Sequence, residues 1–131
     1  MKKQGLSVSD IGQGDVVLIY TGWSEYYYSD PELFYDLFAT PGISKEVVTE
    51  IIFDTNASII GSDNWGIDQW GVFDFETNTT TIQAAHEIFQ VCGGGMLHEG
   101  LVLEEWVNDA RNGDVPWIGA YVYQTLPNTP H

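Results

Sequence analysis

A chain of 131 residues, 44% of them hydrophobic, is long enough for one domain with a buried core. Nineteen acidic against four basic side chains give a formal charge of −15, which repels phosphate backbones and anionic lipid and argues against nucleic acid as a partner. The single cysteine, Cys92, cannot form an internal disulfide. Residues 1–13 lack the apolar stretch of a signal peptide, and apolar runs such as residues 16–20 fall far short of the ~20 residues of a membrane span. A soluble, cytoplasmic protein without membrane contact is expected.

In chain order, Gly14-Asp15 is a turn signal that launches a β-branched strand over residues 16–21. Ser29-Asp30-Pro31-Glu32 supplies an N-cap and a proline at the first helical position, predicting a short helix over 31–38 that Pro41-Gly42 ends. Ser44 then precedes a helix over 45–52, with Val47, Val48, Ile51 and Ile52 on one apolar stripe. Residues 57–61 read as the next strand. Residues 62–81 are polar and aromatic without a clean period, which predicts a long loop. A helix over 83–91 is stopped by Gly93-Gly94-Gly95, where positive φ ends the turn. A short strand over 96–98, a helix over 103–111 ending at Asn112-Gly113, and a last strand over 117–125 complete the chain. Strands separated by helices predict an α/β protein, a mixed layered sheet with helices, in one domain spanning 1–131.

Two residues stand out for chemistry. His86 lies among Ala84, Ala85, Ile88 and Phe89, and suits either a core histidine with a hydrogen-bond partner or a metal ligand. Glu99 follows a short apolar strand, where a carboxylate between buried neighbours needs a partner, either a metal ion or Arg111. His98, next to it, points to the opposite face of a regular strand. Asp63 and Asp68 flank Asn64-Trp65-Gly66 without the ligand spacing of an EF-hand, and fit carboxylates that cap loop backbone. The glycine triplet lacks the Lys-Ser/Thr of a phosphate loop. Tyr26-Tyr27-Tyr28, Phe34, Tyr35, Trp65 and Trp70 suit core or interface, or a pocket for a small planar aromatic ligand.

Gly14-Asp-Val-Val-Leu-Ile-Tyr-Thr-Gly-Trp23, Pro41-Gly-Ile-Ser44, Ile60-Gly-Ser-Asp63, His86 and Glu99-Gly-Leu101 follow one another as in the cyclase family that includes bacterial kynurenine formamidases and isatin hydrolases. The chain resembles that family from about Gly14 to Leu126. The resemblance implies a swivelling β/β/α fold and hydrolysis of an amide or lactam C–N bond by zinc or manganese. It also implies that His86 and Glu99 correspond to the family's late metal ligands. The family's earlier His-x-Gly-Thr-His-x-Asp-x-Pro-x-His motif, which supplies most ligands, has no counterpart here. The chain is therefore expected to match the C-terminal half of a family member, binding metal weakly or not at all.

Besides a gene fragment that folds without a selected role, two functions compete on this basis. The first is a non-catalytic, oligomeric ligand-binding or structural protein, a dimer or larger, that covers by self-association the apolar surface and sheet edge the absent half would leave. The second is a metal-dependent hydrolase whose site is completed between subunits or by a partner chain.

Overall fold

The computed structural model describes residues 2–74, 77–81 and 83–123. Its centre is a three-stranded parallel sheet in the order β1 (Val16–Ile19), β2 (Ile59–Ser62), β5 (Met96–His98). Val16 pairs with Ile59 and Ile19 with Ser62, while Ile59 pairs with Met96 and Gly61 with His98. β3 (Val72–Asp74) and β4 (Thr79–Thr81) form a separate antiparallel hairpin. The α/β class expected from alternating periodicity is the class observed.

Each parallel step needs a crossover, and helical turns supply both. After β1 come the short helices α1 (Tyr26–Ser29) and α2 (Pro31–Phe34), then α3 (Lys45–Val47), which runs directly into a π-helix, Val48–Phe53. A second π-helix, Ala85–Cys92, joins the hairpin to β5, and α4 (Glu104–Asn112) follows the sheet. Because the strand order advances in one direction, right-handed crossovers place both π-helices on the same face. There Val48, Ile52, Ala85 and Phe89 close over Ile60 of β2 with Ala57 and Ile67, all buried. The opposite pleat of β2 exposes Gly61 to Leu18 and Leu101. Arg111 of α4 lies 5.5 Å from the Tyr20 ring centroid just past β1.

Start and stop signals act as predicted at several ends. Asp30 caps α2 by accepting from Leu33 N at 3.1 Å, with Pro31 in the first turn. Ser44 caps α3, and Gly94 takes φ +71° after the second π-helix.

Three expectations are corrected. α2 stops at Phe34 and not at 38, because the Asp36 carboxylate accepts from Phe38 N and Thr40 Oγ1 donates to the Asp36 carbonyl, turning the chain. The stretch 62–81 is no loop throughout: it holds the β3–β4 hairpin, whose three-residue strands are too short to show a period-2 pattern. Residues 117–123 form no strand. There Tyr121 and Tyr123 pack their rings on His98, while 124 and 125 lie outside the described residues.

Candidate functional site

The carboxyl ends of the three parallel strands carry Tyr20-Thr21, Asp63-Asn64 and Glu99-Gly100, the edge at which open α/β sheets place ligands. Asp63 is 1% exposed. One of its oxygens accepts from Thr21 N at 2.7 Å and Thr21 Oγ1 at 2.8 Å, the other from Ser24 N at 3.3 Å and Ser24 Oγ at 3.2 Å. It thus clamps the end of β1 to the end of β2, the capping role read from its loop position. Gly100 N and Leu101 N bond to the carbonyls of Asn64 and Ser62, tying the end of β5 to the same edge.

Asp68, also 1% exposed, works one turn of chain further on. Its carboxylate accepts from Ala85 N at the start of the second π-helix and from His86 Nδ1. A carboxylate only accepts here, so Nδ1 carries the proton, and Nε2 is the nitrogen turned away from Asp68. The His86 side chain is 31% exposed. It is therefore neither a fully enclosed core residue nor a surface one, but an imidazole fixed in orientation by a buried acid.

Glu99 departs from expectation. It is exposed, and its partner is backbone: Oε1 accepts from Ile67 N at 2.8 Å. Arg111 sits instead over Tyr20. His86 and Glu99 are thus anchored to consecutive residues, Asp68 and Ile67, of a segment bridged to Ile43. No local signal in the sequence links Asp68 to His86, because Asp68 stands 17 residues before Ala85 and the N-cap position of the second π-helix is taken by Ala84. His98 takes no part, since its Nδ1 lies 2.6 Å from Tyr121 Oη and its Nε2 3.0 Å from Met96 Sδ.

Against this donor set the zinc or manganese of the resemblance can be tested. Among the described residues no three His, Cys, Asp or Glu side chains gather to hold an ion. His86 and Glu99 offer one donor each, and catalytic zinc takes three protein ligands. The described residues do not make a complete catalytic metal centre. A cavity of about 390 Å³ opens elsewhere, between Gln13, Asn56, Ser58 and the glycines 93–95, and neither His86 nor Glu99 lines it.

The aromatic residues divide. Trp65 Nε1 donates to Thr40 Oγ1 at 3.0 Å and Trp23 Nε1 to the Phe34 carbonyl at 3.1 Å, so both indoles are structural. Tyr28, Tyr27, Phe34, Tyr35 and Trp65 form a continuous ring array, with successive centroids 4.7, 5.3, 4.9 and 5.9 Å apart.

Tyr20 has a raised pKa, first because burial disfavours the phenolate, then because Glu104, Glu25 and Asp63 repel it, with Arg111 opposing. The folded state thus favours the neutral phenol. Its contribution to stability is full below the ordinary tyrosine value near 10.0 and is lost as pH rises through the higher folded value. Titration of phenolate absorbance in the parent and in Tyr20→Phe should show one late-ionising tyrosine absent from the variant. Identical curves would refute the assignment.

An α/β domain with a parallel sheet, a carboxylate-clamped strand edge and a His–Asp pair beside it is the class that fold and site define. The chain belongs to the Putative cyclase family, whose family model matches residues 1–69. That match contains the Gly14–Trp23, Pro41–Ser44 and Ile60–Asp63 motifs and Asp68, whereas the resemblance extends to Leu126, and His86 and Glu99 stand beyond the matched residues. Comparison with curated proteins and with solved structures finds no match. Among the described residues no helix is long and apolar enough to cross a membrane.

Proposed function

We propose that this chain is a single-domain cyclase-family protein that acts as an oligomeric ligand-binding or structural component and not, by itself, as a hydrolase. The supporting observation is that both candidate donors are already engaged. His86 is held through Nδ1 by Asp68, and Glu99 through Oε1 by Ile67 N, which leaves one nitrogen and one oxygen to offer a metal. Exposed apolar side chains at Val91, Val102, Ile118 and Val122 favour association, as does a small sheet whose outer strands are β1 and β5.

A second reading has its own support: an amide or lactam hydrolase whose zinc or manganese site is completed by another subunit or a partner chain. An imidazole fixed through Nδ1 by a buried carboxylate, with Nε2 outward, is how metal-ligating histidines are oriented. In that case His86 and Glu99 would bind the ion and Asp68 would set the ring; the metal would supply an activated water.

One experiment separates the two. Untagged protein is run through size exclusion with light scattering, and the peak is assayed for zinc and manganese and for hydrolysis of aromatic formamides. An oligomer without stoichiometric metal or turnover is expected. Stoichiometric metal with turnover, lost in His86→Ala, would replace the first reading by the second, and a monomer would remove the oligomer.

A further inference from the structure

Between Lys3 and Lys45 the sequence has no Lys or Arg, and the segment from Glu25 to Phe38 places four exposed carboxylates, Glu25, Asp30, Glu32 and Asp36, among aromatic side chains. Tyr28 and Phe38 are 90% and 91% exposed, and Tyr27 and Tyr35 about half. We propose that this aromatic, acid-rimmed face is a docking surface for a Lys/Arg-bearing segment of a partner protein.

Ring geometry favours cations over a planar ligand. Neighbouring rings meet edge to face, at 85° for Tyr27–Tyr28, 84° for Tyr27–Phe34 and 86° for Phe34–Tyr35. No two of these successive rings are parallel, so none of these pairs can sandwich a flat molecule, whereas a single exposed face attracts a guanidinium or ammonium. Arg111 over Tyr20 shows the same contact inside this molecule. The four exposed carboxylates of the same segment add long-range attraction for basic chains. A second copy suits the face poorly. It carries the same rim, a charge of −15 and only Lys2, Lys3, Lys45 and Arg111 as cations.

The probe is a synthetic Arg-Gly repeat peptide, with a Glu-Gly peptide and indole as comparisons, titrated by calorimetry at low and half-molar salt. The Arg peptide should bind, and the Glu peptide and indole should not. Tyr28→Ala/Phe38→Ala should weaken binding about tenfold without unfolding the chain, since both side chains stand in solvent. Glu25→Gln/Glu32→Gln should weaken it at low salt and much less at high salt. Glu105→Gln/Asp109→Asn on α4 makes the same charge change outside the Glu25–Phe38 segment and should leave binding as in the parent. Equal weakening by the α4 variant would reduce the effect to net charge and overturn the proposal. So would unchanged affinity in the alanine variant, binding of indole at these rings, or dissociation of a homo-oligomer by the alanine variant.

Discussion

Gly42→Ala is expected to destabilise the protein by about 3 kcal/mol or more, a large share of the ~5–15 kcal/mol that holds a domain of this size. A methyl at Gly42 would fall on the Asp68 carbonyl group and Gln69 N, which are backbone and cannot swing aside. The two segments are held together there by Ile43 N to the Ile67 carbonyl at 2.9 Å and Gln69 N to the Ile43 carbonyl at 3.3 Å. Forcing them apart breaks that bridge and displaces Asp68, and with it the anchor of His86 and the start of the second π-helix. Urea unfolding against Gly119→Ala, where an added methyl meets nothing within 4 Å, isolates the steric effect. If both variants unfold at the parent's midpoint, the close approach at Gly42 is wrong.

Asp63→Ala should cost about 2–4 kcal/mol, because it removes a buried acceptor from four donors at once. Two of those donors are backbone amides, Thr21 N and Ser24 N, and their loss frees the end of β1 from β2. Asp63→Asn keeps one acceptor oxygen but turns an amide NH2 toward donors that already point at it, so it should fall between alanine and parent. Denaturant midpoints for the pair provide the check. An asparagine variant as stable as the parent would mean that neither the charge nor the second oxygen matters.

Much of the frame was legible in sequence because the signals were local. Val16–Ile19 is a β-branched run after a turn, Asp30-Pro31 and Ser44 are caps, and the apolar stripe through Val48 and Ile52 meets the sheet as its spacing implied. The β3–β4 hairpin was not legible, since three residues carry too little periodicity to separate strand from loop. Residues 117–123 looked like a strand because small and aromatic residues alternate there, yet two of those aromatics are occupied by His98. At the site, types and spacing drew attention to His86 and Glu99 and assigned capping to Asp63. Which acid meets which base depends on a crossover between distant segments. That is why Asp68 as the partner of His86, and Ile67 N as the partner of Glu99, emerged only from the fold.

The strand order β1-β2-β5 also bears on how the chain folds. Every rung of this sheet joins segments far apart in sequence, Val16 with Ile59 and Ile60 with Leu97, and a parallel sheet has no tight hairpin to start it. Two large loops must therefore close, at an entropic cost, before the first strand pairs are rewarded. Such a topology folds more slowly than a helical protein built on local contacts, and its strand edges stay open until those loops close. For a chain with Val-Val-Leu-Ile and Ile-Ile as its strand cores, the formal charge of −15 then acts as a kinetic safeguard, keeping half-folded copies apart while their edges are open.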